Sequence, residues 1–264
     1  YQKAIKESEE VFKRGDKRER EERLKEINES FDESINYPDY ARKLYLIENC
    51  IYGVDIQPIA IQISKLRFFI SLVLDQKVDK EKENFGIRPL PNLETRFVAA
   101  NTLLYLEKAQ YDISNEQIKS LEDKIKSIRH KYFQAKTRTE KLNYQKEDRR
   151  LRSLLAKELE SLGFSIESSK KIADFDLYDQ NSFADFFDPE WMFGISNGFD
   201  IVIANPPYVS TKGISERDKE QLKRCYGFVD DLYNHFYFKG MELLKDSGIL
   251  AFISSKTFWT IQTK

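Results

Sequence analysis

One stretch of the chain, Phe199–Tyr208 (FDIVIANPPY), constrains the fold more than any other. The apolar run Ile201–Ala204 follows an acid and stops abruptly at Asn-Pro-Pro-Tyr. A short apolar run bounded by turn residues is typical of a strand that is buried on both faces in a parallel sheet. Consecutive prolines end such a strand because neither can donate a ladder hydrogen bond. The sequence therefore predicts a stiff turn at the carboxyl end of a central strand, where open α/β sheets bind ligands.

The groups that this turn exposes suit chemistry at an amino group on a heteroaromatic ring. Such a nitrogen is a poor nucleophile because its lone pair is delocalised into the ring. The side-chain oxygen of Asn205 and the carbonyl of Pro206 can each accept one of its hydrogens, which draws the nitrogen towards tetrahedral geometry. The ring of Tyr208 can stack on the face of the same heteroaromatic ring, a contact worth roughly 1–3 kcal/mol for a nucleic-acid base. The alternative is a plain proline turn with a surface tyrosine.

A second informative stretch lies nearer the start of the chain. Ile47–Val54 predicts a strand that ends at Asp55, and Pro58 stands at a favoured helix start, followed by apolar residues at helical spacing. An acid between a strand and a helix is how Rossmann-like folds hold the hydroxyls of a ribose. A carboxylate that caps the following helix is equally compatible with the residues, so both roles stay open for Asp55.

Two further strands and a connection are predicted. Arg96–Ala100 forms a short run that ends at Asn101, and Ile249–Ser254 forms another after a helical pattern. The acidic stretch 165–198 holds no paired carboxylates suited to catalysis and is predicted to lie against the sheet edge. Strands that alternate with helices indicate an α/β class of fold.

A helical hairpin is predicted over 114–162, between the third and fourth strands. Apolar residues recur at heptad spacing on both sides of a polar break at Gln134–Lys141. Residues 115–162 carry 13 Lys or Arg against 8 Asp or Glu, a net charge of +5. That charge suits a DNA-facing arm, but charged coiled-coil surfaces are usually only solvated. We favour a solvated arm that lies outside the sheet core.

Five stretches resemble, in order and spacing, motifs II to VI of the S-adenosylmethionine-dependent amino-methyltransferases: those at Asp55, Asn101, Asn205, Asp231–Tyr233 and Ile249–Ser254. The run Phe187–Trp191 resembles the approach to motif IV in type IIG restriction-modification proteins. The resemblance covers most of residues 44–258. It implies an α/β fold with a Rossmann-like methyltransferase sheet, into which the hairpin is inserted.

The resemblance also implies residue roles. Asp55 is expected to hold the cofactor ribose, with Ile56 packed on the cofactor adenine. Asn101 stands where many relatives carry Asp, and its amide is expected to recognise the adenine amino group, a turn asparagine being the alternative. The implied catalytic residues are Asn205, Pro206, Pro207 and Tyr208, and the implied cofactor-binding residues are Asp55, Ile56, Asn101, Thr102 and Asn205.

These roles describe a DNA adenine methyltransferase of the restriction-modification or phage-defence kind. Its target adenine, flipped out of double-stranded DNA, would be methylated directly from S-adenosylmethionine, with no metal and no strong general base. Relatives with the same tetrapeptide modify RNA bases or a protein glutamine amide, but they are generally compact, and the long hairpin argues against them. A non-catalytic DNA-binding module that retains the fold is a further alternative.

The family's motif I, a glycine-rich loop, is missing from the chain, since none of its ten glycines is two residues from another. We expect that loop upstream of Tyr1 and a target-recognition domain beyond Lys264. No convincing nuclease cluster is present. The predicted organisation is a charged helical segment over 1–43, a partial methyltransferase core over 44–113 and 163–264, and the hairpin over 114–162. Such a fragment alone is expected to be inactive and to bind the cofactor weakly.

Composition and net charge exclude several other kinds of protein and site. Two cysteines without a CxxC pattern and two isolated histidines indicate neither a disulfide framework nor a zinc site. No signal peptide or membrane-length apolar run is present, so a cytoplasmic protein without membrane contact is expected. The net charge of -1 provides no global basic field, so any DNA-binding surface must be local.

Overall fold

The computed structural model of the chain describes residues 39–88, 90–106 and 116–254, with single positions and short runs between 21 and 37. Most of the predicted charged segment 1–43, the start of the hairpin and the residues after Ser254 therefore lie outside the described residues. The described helices and strands are, in order, α1 Asp39–Asn49, β1 Gly53–Asp55, α2 Pro58–Leu74, β2 Phe97–Ala99, α3 Glu116–Gln134, α4 Arg138–Ser161, α5 Ile166–Asp174, α6 Pro189–Phe193, β3 Phe199–Ala204, α7 Glu216–Tyr226, α8 Leu232–Leu243 and β4 Leu244–Phe252.

Strands β1 and β2 form a parallel pair, with Gly53 opposite Phe97 and Asp55 opposite Ala99. A side chain at Gly53 would lie 2.4 Å from the ring of Phe97, so the close approach of the two strands needs glycine there. Helix α2 begins with proline, as predicted, and packs on both strands. The strand predicted from Ile47 was wrong in its first half, because Ile47 lies in the last turn of α1 and packs in the same buried cluster as Tyr40, one heptad earlier.

The connection 165–198 lies against the edge of β2, as predicted. Ala184 forms a parallel bridge beside Ala100, and its N–H donates to the carbonyl of Ala99 at 3.0 Å. The connection also contains two helices, α5 and α6. Helix α6 begins at Pro189, where the carboxylate of Asp188 accepts from the N–H of Trp191 at 3.0 Å.

Helices α3 and α4 form the predicted hairpin, and α4 begins with a capping box in which Thr137 and Glu140 satisfy each other's backbone N–H groups. Contrary to the expectation of a solvated arm, the inner faces of the hairpin belong to the main hydrophobic core. Ile125 and Leu155 share one buried cluster with Val98 of β2. Heptad spacing predicts which residues face inward, but it does not reveal what the helix pair packs against.

A buried charge network ties the hairpin to the connection. Asp148 is fully buried and accepts from Arg129 at 2.9 Å and from Arg152 at 2.8 Å. Arg129 also donates to the carbonyl of Trp191 at 2.6 Å, and Arg152 to that of Ala173 at 2.8 Å. Each guanidinium therefore donates hydrogen bonds to carbonyl groups near the C-terminal end of a short helix, where cations are favourable.

Strands β3 and β4 form a second parallel pair, with Ile201 opposite Ile249 and Ala204 opposite Phe252. Helix α8 covers one face closely, since a side chain at Gly240 would lie 2.7 Å from Leu250 and Phe252. The prediction that β3 is buried on both faces was wrong for the described residues. Ile201 is 56% exposed and Ile203 is 77% exposed, because only the face that carries Val202 is packed.

The described chain is thus a mixed α/β structure with two short parallel strand pairs, which confirms the predicted class. Tyr52, directly before β1, contacts the ring of Phe199 at the start of β3, with the ring centroids 5.9 Å apart. None of the helices in the described part of the chain combines the length and apolar character needed to cross a membrane.

Candidate active site

The Asn-Pro-Pro-Tyr turn leaves the carboxyl end of β3. Pro206 is buried, whereas Asn205, Pro207 and Tyr208 are exposed. The hydroxyl of Tyr208 donates to the carbonyl of Ile253 at 3.1 Å, and the N–H of Ile253 donates to the carbonyl of Ala204 at the same distance. The turn is therefore tied at both ends to the residue that follows β4, while its amide side chain stays open to solvent.

The ring of Tyr208 is oriented by a second contact. Tyr233, on the first turn of α8, meets it edge to face, with the centroids 6.4 Å apart and the ring planes at 74°. Tyr233 is buried and Tyr208 is 56% exposed, so the contact leaves part of the Tyr208 ring accessible. An accessible aromatic ring beside an exposed amide can take a planar base that carries an amino group.

Asp55 is exposed at the end of β1, and its Oδ1 accepts from the N–H of Gln57 at 2.8 Å. Gln57 is the N-cap residue of α2, and no side chain caps that position. Asp55 therefore closes the turn before the helix and does not cap the helix itself. Only Oδ1 is needed for that turn, so Oδ2 is available to a ligand, and the side chain of Ile56 beside it is also exposed.

Asn101 and Thr102 are half-buried at the end of β2. The side-chain oxygen of Asn101 accepts from the N–H of Leu103 at 3.2 Å, which is the geometry of a turn asparagine. That oxygen has a second lone pair, so the turn and a ligand amino group can share it. The N–H of Ala100 donates to the carbonyl of Asp55 at 2.9 Å, so the structure brings the Asp55 and Asn101 positions together at one sheet edge.

The segments that follow Asn101 and Tyr208 pack on each other. Leu103 lies in a buried cluster with Ile214 and Leu222, and Val209 packs against the same cluster. The hydroxyl of Tyr226 donates to the carbonyl of Leu103 at 2.8 Å. Among the described residues, no hydrogen bond joins the side chains of Asp55 or Asn101 to the turn, so the two halves of the site meet through these neighbouring segments.

A titratable cluster that sequence reasoning missed fixes the same region. The hydroxyl of Tyr105 donates to Glu242 on α8, and the ammonium of Lys239 lies 3.8 Å from the centre of the Tyr105 ring. Burial lowers the pKa of Lys239, whereas burial and the hydrogen bond to Glu242 raise the pKa of Tyr105. Nothing in the sequence sets Lys239 apart from the chain's many surface lysines, so its burial could not be predicted.

Other parts of the described chain do not compete with this site. A cavity of about 1110 Å³ lies between α3 and α6, and it is lined by neither the turn nor Asp55 nor Asn101. Within the described residues, no three His, Cys, Asp or Glu side chains are grouped so as to hold a metal ion. The candidate site therefore consists of the exposed turn and the strand-end residues Asp55 and Asn101.

Comparison with known proteins identifies a relative and a family. A curated protein of Methanocaldococcus jannaschii, named "Putative type II restriction enzyme and methyltransferase RM.MjaORFECS2P", is 27% identical over 278 residues. The match covers 84% of this chain and 23% of the relative, so the chain spans about a quarter of that protein's length. A family model described as Eco57I restriction-modification methylase matches residues 49–264. That match extends over most of the chain, and the chain therefore belongs to the Eco57I restriction-modification methylase family.

Proposed function

We propose that this chain is the catalytic part of a longer restriction-modification protein that methylates the exocyclic amino group of adenine in double-stranded DNA. The observation that carries the proposal is the exposed Asn205–Tyr208 turn at the carboxyl end of β3, held there by the hydrogen bond between Tyr208 and Ile253. The family match supports a DNA methyltransferase. The two acceptors and one aromatic ring of the turn suit the exocyclic amino group of a base, and the choice of adenine follows the motif resemblance described in the sequence analysis.

In this proposal the target adenine is flipped out of the duplex and stacks on Tyr208. The oxygens of the Asn205 side chain and the Pro206 carbonyl accept one hydrogen each from the amino group. Both bonds strengthen as the nitrogen becomes tetrahedral and its lone pair becomes free to form the new carbon–nitrogen bond. The nitrogen then releases one proton to water, so the product is neutral.

The residues at the ends of β1 and β2 fit S-adenosylmethionine. Asp55 offers a carboxylate oxygen that its own turn does not use, Ile56 offers an exposed apolar side chain, and Asn101 offers a carbonyl oxygen beside half-buried Thr102. They would hold the ribose and the adenine of the cofactor, with Asn205 at the reacting end. When bound, the cofactor supplies a methyl group on a sulfonium, whose departure leaves the carbon–sulfur electron pair on sulfur.

The two strand pairs are proposed to be parts of one Rossmann-like sheet in the whole protein. Both pairs are parallel, and the contact between Tyr52 and Phe199 supports their lying side by side. Helix α2 has an exposed apolar stripe along one side, which is typical of a helix covered by a further layer; its residues are Ile59, Ile63, Leu66 and Ile70. The proposed core is 44–113 and 163–264, with 114–162 inserted.

The decisive test compares Asn205→Ala with Asn197→Ala in the full-length protein, with nucleoside mass spectrometry to identify the methylated base. Asn197 is an exposed asparagine at the opposite end of β3 and serves as the matched control. We expect Asn205→Ala to lower kcat by about 100-fold or more, the order found when one preorganised hydrogen-bonding group is removed. Its affinity for DNA should stay near that of the control.

The same assay separates the alternatives. N6-methyladenine in duplex DNA, formed by the parent and lost in Asn205→Ala, supports the proposal. Methyl transfer to RNA or to a protein glutamine would show that the substrate is that molecule and not DNA. Cofactor-dependent DNA binding without methyl transfer would indicate a binding module, and full activity of Asn205→Ala would leave the tetrapeptide as a structural turn.

A further inference from the structure

Asp231 occupies the N-cap position of α8 but makes no side-chain cap to its own helix. Its Oδ1 instead accepts from the backbone N–H of Thr211 at 2.7 Å and from the Thr211 hydroxyl at 3.0 Å. Aspartate at an N-cap normally accepts from the helix's own N–H groups. Here the carboxylate serves another segment, which lies three residues beyond Tyr208.

The neighbouring backbone closes the same junction. The N–H of Leu232 donates to the carbonyl of Val209 at 2.9 Å, so the chain returns to its starting point after an excursion of 209–232. This excursion, which contains α7, packs on the segment after β2 through the cluster that holds Leu103. The hydrogen bonds from Thr211 to Asp231 and from Leu232 to Val209 therefore join the two ends of the segment 209–232, next to the Asn205–Tyr208 turn.

We propose that Asp231 is a positioning residue for the methyl transfer, an inference that rests on the proposed function. By holding both donors of Thr211, it fixes the direction in which the chain leaves Tyr208. The other end of the turn is fixed by β3, and the ring edge by Ile253. With Asp231 in place, these hydrogen bonds restrain the turn and keep Asn205 and Tyr208 directed at the base between binding and transfer.

The hydrogen bonds can be separated from the charge of the carboxylate. Asp231→Asn keeps the oxygen that accepts both Thr211 donors and removes only the charge. Asp231→Ala removes the acceptor, and Thr211→Val removes the hydroxyl donor while keeping the backbone N–H and nearly the same shape. Asp230→Ala is the matched control, because Asp230 accepts from Asp231 N and Asn234 at the same helix start but does not contact Thr211.

The readouts are kcat, KM for DNA, thermal unfolding of the full-length protein, and fluorescence of 2-aminopurine at the target position. We expect Asp231→Ala to lower kcat by roughly 10- to 100-fold, because both hydrogen bonds from Thr211 are lost together. Its unfolding temperature should stay close to that of Asp230→Ala. Asp231→Asn should stay within about threefold of the parent, and Thr211→Val should have no further effect when combined with Asp231→Ala.

Equal kcat for Asp231→Ala and Asp230→Ala would overturn the inference, as would equal losses for Asp231→Asn and Asp231→Ala. If Asp231→Ala does not fold, Thr211→Val alone still decides the question: a lower kcat than in Asp230→Ala, with Asp231→Asn close to the parent, supports the inference, and an unchanged kcat overturns it. Failure of this inference and failure of the proposed function give different results. Inactive Asn205→Ala with fully active Asp231→Ala removes the positioning role alone, whereas active Asn205→Ala removes the proposed function itself.

Discussion

The hydroxyl of Tyr208 donates a hydrogen bond to the carbonyl oxygen of Ile253, 3.1 Å away. Because Ile253 also donates its N–H to Ala204, a single residue after β4 secures the strand end and the tyrosine that follows it. The ring is held by its edge, through this bond and through Tyr233, while 56% of the residue stays exposed. In the proposed mechanism, these contacts would hold the ring ready to stack on a base.

The Tyr208 ring and its hydroxyl should therefore contribute separately. Tyr208→Phe keeps the stacking face and loses one exposed hydrogen bond worth about 0.5–1.5 kcal/mol, so we expect a loss of at most about tenfold in kcat/KM. Tyr208→Ala also loses the stacking, worth roughly 1–3 kcal/mol, and should weaken base extrusion together with the rate. Fluorescence of 2-aminopurine measures extrusion apart from chemistry. Equal losses for the two variants would contradict the stacking role.

Asp55→Asn tests the ribose interaction without disturbing the turn, because the amide oxygen can still accept from Gln57. We expect KM for S-adenosylmethionine to rise by roughly 10- to 100-fold with little change in kcat, since a hydrogen bond to a charged group is worth about 1.5–3 kcal/mol. Asp79→Asn is the matched control, because Asp79 closes the same kind of turn, with Oδ1 accepting from Glu81 at 3.1 Å. An unchanged KM in Asp55→Asn would assign this carboxylate to the turn alone.

Local signals in the sequence were sufficient to place the strand ends that carry the candidate site residues. An apolar run that stops at two prolines, and an acid between a strand and a helix, depend on backbone rules that hold in any tertiary context. The ends of β1, β2 and β3 therefore lie within a residue or two of their predicted positions, at Asp55, Ala99 and Ala204. Whether these strand ends bind a cofactor and a base stays a prediction.

Tertiary relationships were the part that the sequence could not reveal. Ile47 is a β-branched residue of the kind that strands favour, yet it packs with Tyr40 on one helix face. The hairpin carries a net charge of +5, yet its apolar faces join the core beside Val98. Asp231 has the sequence context of a helix cap, yet its carboxylate bonds to Thr211, twenty residues away. The partners of the hairpin and of Asp231 are distant in sequence, and no local pattern identifies them, whereas Ile47 was misassigned although Tyr40 lies only seven residues before it.

The place of the hairpin in the core can be tested with two adjacent leucines on α4. Leu155 is 1% exposed in the main cluster, and Leu154 beside it is 38% exposed. We expect Leu155→Ala to lower the free energy of unfolding by about 2–5 kcal/mol, as other large-to-small core substitutions do. Leu154→Ala should change it far less. Similar unfolding midpoints in urea for both variants would restore the solvated arm that the sequence predicted.

The last prediction concerns His235, which is fully buried on α8 and stacked on Phe228, with the ring centroids 4.7 Å apart. Its Nε2 accepts from the N–H of Asp230 at 3.1 Å, so the neutral ring carries its proton on Nδ1, which has no hydrogen-bond partner among the described residues. Protonation would place a second N–H against that of Asp230. Burial lowers the pKa of His235, an effect that the negative charge of Asp230 opposes only in part.

A lowered pKa in the folded state makes acid destabilising. Above about pH 6.5 neither state holds the proton, so His235 does not change stability with pH there. As the pH falls below that value the unfolded chain binds the proton first, and stability should fall by up to about 1.4 kcal/mol per pH unit until the folded-state pKa is reached. His235→Phe keeps the stacking on Phe228 and removes the titration. The free energy of unfolding, measured in urea between about pH 7 and 5, should fall less steeply with decreasing pH for this variant than for the parent. Parallel slopes would mean that another group, and not this histidine, controls stability in that range.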